Sequence, residues 1–600
     1  MNHFFKKRTV LRTVLSILLA LAMLLTASAG LQTLRFYRFS AELFREEMSS
    51  DTLSMHYTIA FPETYGIPKD TVALTPYSHD SQEESIRQLK ARARTAASIK
   101  APLLARESRS LLLLLRAQLA DRLREAEFPY YAEPLSPGSG VQSTLPILLA
   151  EYTFRNKQDV DNYLALLSQL PAYLDGIAVY EKEKADAGLF MSDSAADQVT
   201  TQCYEILSAE TLTDDSHFLC TTFAQRLQAL TDAGLLTEEE AASYREKNRS
   251  LLLTCVQPAY ESLGDSILLL KGSGKNEQGL SHFPDGKEYY AQLFAQTTGC
   301  SRPLTEVKQL LLKRMKEETQ ALALLVQKYP DLPALFKSSH FPELSAPEML
   351  DDLQKRMQDA FPPMPEPDSV PACTVKEVSK SLEDYCAPAF YLTPPIDDNS
   401  ENSIYVNQKE NPSGVELYTT LAHEGYPGHL YQTVYDQLYK RRSHANPAYA
   451  LLHYGGYSEG WALYVEFLSY DYAKELLLEN GAEENELLAL DALRLNRGIQ
   501  LCLYSLLDLE IHYEGADFEA VCKTLRTFGI DDESVCRDIY DYIVQEPANY
   551  PKYYVGCLEF ELLKETAKEK WQDAYSDVRF HQTVLETGPC PFEMLWERME

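Results

Sequence analysis

The chain has 600 residues and a formal charge of −32 at neutral pH, because 88 acidic side chains outnumber 56 basic ones. Its 45% hydrophobic and 24% charged content is that of a globular protein and excludes a mainly disordered chain. The acidity also excludes a general nucleic-acid binder, because such a surface repels phosphate.

The first 29 residues have the layout of an export signal. A basic stretch precedes an apolar run over residues 14–25, and small residues at 27–29 offer a cleavage site. The alternative is an uncleaved anchor, because residues 10–29 are nearly long enough to span a bilayer. We expect residues 1–29 to be a signal peptide or an N-terminal membrane anchor, and we favour cleavage. The remainder is then exported, either extracellular or held on the outer face of the cytoplasmic membrane.

Helical spacing of apolar residues dominates the rest of the chain. We expect a helical N-terminal lobe over residues 30–361 and a helical C-terminal lobe over 362–600, joined by the proline-rich stretch at 362–376. Short alternating segments at 389–392 and 403–407 predict a small β ribbon. A cleft between the two lobes is the natural place for a site.

Two histidines flank a helix break. A helix predicted over residues 415–426 carries His423, and a Pro-Gly pair ends that helix just before His429. The common zinc-peptidase motif H-E-x-x-H has its histidines at i and i+4. Here the second is at i+6, about 240° round an unbroken helix, so the break must turn His429 back for the two to share a metal. The alternative is a pair of hydrogen-bonded histidines near a helix end.

Two glutamates complete the parts of a zinc hydrolase. Glu424 follows the first histidine and is placed to take a proton from water. Glu459 lies 30 residues on, in the first turn of a helix predicted to start at Ser458 and to run to about residue 473. Glu466 shares its face. A His₂Glu set is one of the known catalytic zinc sites. The alternative for Glu459 is an acid that stabilises the positive end of a helix.

These motifs resemble those of the bacterial DUF885 family, a domain of unknown function placed with the zincin-like metallopeptidases. Residues 423–429 match its H-E-x-x-P-G-H pattern and residues 459–464 match its E-G-W-A-L-Y pattern. At Leu430 the chain departs from the many members that carry a further histidine. Weaker matches cover most of the chain from about residue 140: they lie at 284–290, 387–391, 394–395, 405–407, 508–515, 553–556 and 580–581.

The resemblance implies a mostly α-helical, two-lobed zincin-like metallopeptidase fold with a central cleft. It implies one zinc ion per chain, held by His423, His429 and Glu459, with Glu424 as the general base. Two residues on family patterns, His512 and Tyr553, are candidate donors to the substrate oxyanion. The expected function is an exported zinc-dependent metallopeptidase that hydrolyses peptide bonds, in short peptides rather than folded proteins.

Several alternatives stay open at this level. Arg494 or Arg497 could hold a substrate carboxylate, as in an exopeptidase, or could simply be surface residues. His453 is a packed residue or a neighbour of the site. Two other classes of protein fit the composition: a non-catalytic cell-surface binding protein that retains the fold, and a carbohydrate-active hydrolase with paired carboxylates. The sequence does not specify an oligomeric state.

Overall fold

The computed structural model describes residues 2–599, except 70, 76, 78, 275, 333–340, 367–372, 379, 381–382, 384–386, 399–400 and 410–413. Most of these residues are helical, and one three-stranded sheet lies near the middle of the chain. The predicted mostly α fold with a small β element is therefore confirmed.

The N-terminal helices begin with a single helix of 49 residues, α1. Within the described part of the chain, α1 is the one helix long and apolar enough to cross a membrane. Its second half instead enters the core, where Phe36 and Phe44 are fully buried. Asp51 caps the helix that follows, because its side chain accepts a hydrogen bond from the Ser54 N–H. The four helices are α1 (Asn2–Ser50), α2 (Thr52–Thr58), α3 (His79–Ser98) and α4 (Arg106–Glu125).

The next seven helices enclose a hydrophobic core of their own, in which Leu167, Val199 and Phe223 are fully buried. A capping box between Thr237 and Glu240 fixes one of the helix starts. The helices are α5 (Val141–Ala150), α6 (Lys157–Asp186), α7 (Asp193–Glu205), α8 (Ala209–Thr213), α9 (Phe218–Asp232), α10 (Glu238–Leu251) and α11 (Gln257–Leu270).

The remaining helices surround a larger core that also contains apolar residues of α1 and α4. They are α12 (Gly286–Thr298), α13 (Leu304–Lys328), α14 (Ala346–Arg356), α15 (Val415–Glu424), α16 (His429–Arg442), α17 (Gly455–Glu479), α18 (Glu484–Leu509), α19 (Phe518–Thr527), α20 (Glu533–Gln545), α21 (Asn549–Trp571), α22 (Asp577–Thr587) and α23 (Phe592–Met599).

The described cores do not follow the predicted lobes 30–361 and 362–600. Helices from both sides of residue 361 share the larger core, and the second core is mostly residues 135–267. The stretch at 362–376 was open to two interpretations, a linker or a rigid loop: residues 362–366 are neither helix nor strand, Pro362 is buried, and a strand begins at Cys373. Residues 367–372 lie outside the described part. Helical spacing shows that a face is apolar but not which helix covers it.

The sheet has the strand order β1-β3-β2, with β1 at Cys373–Glu377, β2 at Ala389–Leu392 and β3 at Asn402–Val406. The central strand β3 is buried throughout, parallel to β1 and antiparallel to β2. The predicted ribbon is β2 and β3, and β1 was missed because it follows a run of prolines. Tyr391 on the edge strand β2 is paired with Ile404 of β3. Among the described residues, the other edge of β2 has no partner strand in this sheet, so backbone groups on that edge are available to side chains from other elements.

Candidate metal centre

The turn between α15 and α16 brings the two histidines together. The predicted helix end at residue 426 is two residues too late, because α15 stops at Glu424 and α16 starts at His429. A Cβ atom on Gly428 would lie 1.8 Å from the carbonyl oxygen of His423, so only glycine allows the backbone to return this closely. The indole N–H of Trp461 donates to the Pro427 carbonyl and holds the turn from α17.

Three potential ligand atoms converge at this turn. Nε2 of His429 lies 3.3 Å from Oε2 of Glu459, and Nε2 of His423 lies 3.7 Å from the same oxygen. All three side chains offer an atom within 4.8 Å of the others. The side chains are 12–23% exposed, so the cluster is largely buried but still open to solvent. His423, His429 and Glu459 therefore meet as the sequence predicts, whatever occupies the space between them.

Helix α17 begins earlier than predicted, at Gly455 instead of just after Ser458. The Ser458 hydroxyl donates to the backbone of its own helix and does not cap it. Glu459 consequently lies in the second turn, where the positive helix end is a weaker explanation for a carboxylate. Burial would raise the pKa of Glu459, but the two histidines hold that pKa well below its ordinary value.

A close helix crossing places Tyr553 beside the cluster. A Cβ atom on Gly460 of α17 would lie 2.5 Å from the backbone of Gly556 on α21, so these helices touch through their glycines. Tyr553 lies one turn before Gly556, and its ring centre is 6.4 Å from that of His423. The side chain is half-buried, and burial followed by the charges of Glu459 and Glu424 raises its pKa. The predicted position of Tyr553 near the site thus agrees with the structure.

A second layer of side chains orients the first. Nδ1 of His423 lies 3.0 Å from Oε2 of Glu466, whose other oxygen lies 3.2 Å from Nε of Arg497. Burial alone would raise the pKa of Glu466, but Arg497 and His423 offset it and lower that pKa. The sequence offered one clue to this role, the seven-residue spacing from Glu459. For Arg497 the sequence indicates only a substrate clamp or a surface position.

The buried carboxylate of Glu424 is held by the edge of the sheet. The Tyr391 N–H donates to Oε2 at 2.9 Å, and Oε1 lies 4.0 Å from Nε2 of His423. Burial raises the pKa of this carboxyl. Glu424 is therefore a carboxylate of raised proton affinity beside the cluster. The Tyr391 N–H holds Oε2, and Oε1 faces the potential ligand atoms. The sequence places Tyr391 in a family pattern but predicts no role for it, since any residue type can supply a backbone N–H.

The prediction of His512 as an oxyanion donor is wrong. Its ring is fully buried, with Nδ1 accepting from the Leu280 N–H and Nε2 donating to the Ile543 carbonyl. Both ring nitrogens are used by the backbone, so neither is left for a substrate. Burial lowers the pKa of His512 to about 4. The residue joins separate segments of the larger core, which the family pattern alone could not distinguish from a catalytic role.

A cleft of about 650 Å³ opens beside His429 and Glu459 and follows α16. Residues at helical spacing on that helix line it, from His429 through Asp436 to Lys440. His453 also lines the cleft and is exposed, so it is a potential substrate contact and not a packed residue.

Comparison with known proteins identifies the family. The profile of DUF885, bacterial proteins of unknown function, matches residues 62–599, so the chain belongs to this family. A crystal structure of a candidate lipoprotein from Colwellia psychrerythraea superposes with a TM-score of 0.78 at 19% identity, covering 95% of this chain and 98% of that one. A candidate lipoprotein of unknown function from Shewanella oneidensis gives 0.62 at 15% identity, with 94% and 99% covered. These likenesses show the fold alone. No curated protein sequence matches.

Proposed function

We propose that this DUF885 member is an exported zinc-dependent metallopeptidase that hydrolyses peptide bonds in short peptides. The observation that carries the proposal is the convergence of His423, His429 and Glu459 on one point next to the buried carboxylate of Glu424. Membership of the DUF885 family specifies no activity, so the zincin-like assignment is part of this proposal.

The donor set fits zinc. Nitrogen and oxygen ligands at about 2.0–2.1 Å in a tetrahedral arrangement are roughly 3.3 Å from one another. The distances of 3.3 and 3.7 Å from Glu459 to the two imidazoles are close to this value. The hydrogen bond from His423 to Glu466 is the kind of support that metal-binding histidines usually have. When bound, zinc would polarise a scissile carbonyl and lower the pKa of a water molecule towards neutrality.

The chain's own residues supply the proton transfer. Glu424 would accept a proton from the attacking water on the oxygen that faces the cluster and pass it to the leaving amine. The Tyr391 N–H keeps the other oxygen in place. The Tyr553 hydroxyl would donate a hydrogen bond to the oxyanion of the tetrahedral intermediate. The cleft along α16 would hold an extended peptide in place next to His429 and Glu459.

Export is supported by the apolar start of α1 and by the two solved structures, which are described as candidate lipoproteins. The first cysteine of this chain is at position 203, so it has none near the N-terminus to carry a lipid. The apolar helix would take that role.

The test is to purify the full chain without chelator, measure its zinc content, and screen a peptide library by mass spectrometry. We expect about one zinc per chain, peptide cleavage that a chelator stops, and loss of zinc in His423→Ala. A zinc-loaded protein that cleaves no peptide would instead favour the non-catalytic binding protein. Chelator-resistant cleavage of a sugar substrate would favour the carbohydrate-active alternative, and failure to take up zinc would exclude the hydrolase mechanism.

A further inference from the structure

We propose that α1 remains attached as a membrane anchor and places the mouth of the cleft at the bilayer surface, so that the substrates are peptides presented at the membrane. The substrate class rests on the proposed peptidase function, whereas the anchoring does not. The argument starts from the lengths and exposures along α1.

The exposed apolar surface of α1 continues past the predicted cleavage site at 27–29. Leu18 and Leu24 are 58% and 68% exposed before that site, and Leu31 and Leu34 are 50% and 67% exposed after it. Cleavage would leave the apolar side chains of Leu31 and Leu34 exposed to water on the surface of the protein. The exposed stretch from residue 14 to residue 34 is about 30 Å long on a helix, which is the thickness of the hydrocarbon core of a bilayer.

Basic side chains surround the point where this stretch ends. Arg35 and Arg38 are exposed on α1 itself, and Arg38 also pairs with Glu42 at 3.1 Å. Lys100 lies beside α1, because its backbone N–H donates to the Gln32 side chain at 2.8 Å. Its side chain is exposed. In a chain with a net charge of −32, a local group of cations is suited to the phosphates of lipid headgroups.

Direct contacts then link α1 to the cleft. The Asn446 side chain lines the cleft and donates to Ser40 of α1 at 2.7 Å. Tyr65 also lines the cleft, and its ring centre is 5.3 Å from that of Phe44. Ser40 is six residues beyond Leu34, or about 9 Å along an unbroken helix. The headgroup layer is about 5–8 Å thick on each side, so this end of the cleft lies at the outer surface of the headgroups when residues 14–34 span the bilayer.

The metal centre lies at the other end of the cleft. From Lys440 to His429 the cleft follows α16 for 11 residues, about 16 Å. A chain that leaves the hydrocarbon core and reaches the centre must cover roughly 25 Å, or about eight extended residues. The expected substrate is a peptide attached to the membrane at one end, with its scissile bond on the order of eight residues from the lipid.

Two measurements test the anchoring without any catalysis. The intact mass of protein extracted from the membranes of an exporting bacterial host should include residues 1–29, and a mature chain starting at Gly30 would overturn the anchor. A fluorophore on Ser443→Cys should be quenched by headgroup spin labels when the full chain is in vesicles of phosphatidylethanolamine and phosphatidylglycerol. The unsubstituted protein, labelled in parallel, gives the background. Quenching no greater than this background would overturn the placement of the cleft mouth.

A third measurement tests the substrate class. One peptide cleaved in the library screen is attached to an acyl chain through spacers of 2, 8 or 20 residues and presented in the vesicles that hold the enzyme. We expect at least tenfold faster cleavage for the 8-residue spacer than for the 2-residue spacer, with little further gain at 20. A requirement for the longest spacer, or equal rates for free and attached peptide, would overturn the proposal. If no peptide is cleaved at all, the peptidase function and with it the substrate class fail, while the first two measurements still decide the anchor.

Discussion

Nδ1 of His423 lies 3.0 Å from Oε2 of Glu466, seven residues beyond Glu459 on the same helix. The carboxylate accepts a hydrogen bond from Nδ1, which turns Nε2 towards Glu459 and His429. Arg497 holds the far oxygen of Glu466. One helix therefore supplies both a potential ligand and the residue that orients a second ligand.

Replacing Glu466 with Gln should weaken zinc binding by about 10–100-fold, because the neutral amide no longer stabilises the orientation and basicity of His423. Zinc affinity is measured by competition with a chromophoric chelator. Asp471→Asn is the matched control, since Asp471 is exposed on the same helix and pairs with Lys474. Equal affinities in the two variants would mean that Glu466 has no part in the site.

Replacing Glu424 with Gln should lower kcat by at least 10²–10⁴-fold while zinc stays bound, because the general base is removed and no ligand is changed. The Tyr391 N–H can still donate to the amide oxygen, so the fold around the residue is kept. Glu416→Gln, exposed on the same helix two turns earlier, should leave both kcat and zinc content unchanged. Full activity in Glu424→Gln would remove the proposed base.

Replacing Tyr553 with Phe should lower kcat by about 10²-fold, with small effects on KM and zinc content, because only the hydrogen bond to the oxyanion is lost. The control is Tyr550→Phe, on the same helix, whose ring packs on Tyr504. If kcat is unchanged while KM rises, Tyr553 binds the substrate and does not stabilise the transition state.

Replacing Gly428 with Ala should disrupt the site, because the new Cβ atom would overlap the His423 carbonyl oxygen at 1.8 Å. The turn must open, which separates the imidazoles, and we expect zinc affinity to fall by more than 100-fold. Gly30→Ala is the control, since a Cβ atom there meets nothing within 4 Å. Zinc bound normally by Gly428→Ala would show that the ligand atoms do not depend on this turn.

The ligand residues could be predicted from the sequence because chemistry restricts them to few residue types at recognisable spacing. The Pro-Gly break after Glu424 indicated that His429 could return to His423, and the structure shows this return. The role of Tyr391 could not be predicted, because it acts through its backbone. The prediction for His512 is wrong for the opposite reason. Its side chain is of a type that suits catalysis, but both ring nitrogens are hydrogen-bonded to backbone groups of distant segments.

The elements of the fold were predictable, but their assembly was not. Helical spacing and the alternating segments of β2 and β3 indicate local structure. The two cores instead depend on which apolar faces meet, so α1 and α4 join the core of helices far along the chain. Glycines such as Gly556 allow helices to cross in direct backbone contact, and only the three-dimensional structure shows what each glycine faces.

Replacing His512 with Gln should leave zinc content and kcat unchanged and alter the pH dependence of stability. The folded protein keeps His512 neutral down to a pKa of about 4, whereas the unfolded chain takes up a proton near pH 6.5. The stability that this histidine provides is complete above pH 6.5 and is lost as the pH falls towards 4. Between pH 7.5 and 5 the loss is about 2 kcal/mol, from 1.5 pH units at about 1.4 kcal/mol each. Gln does not titrate, so in urea unfolding of the zinc-free proteins the difference in unfolding free energy between parent and variant should shrink by that amount. A constant difference would show that the pKa of His512 is the same in the folded and unfolded chains, and a large fall in kcat would make it a catalytic candidate again.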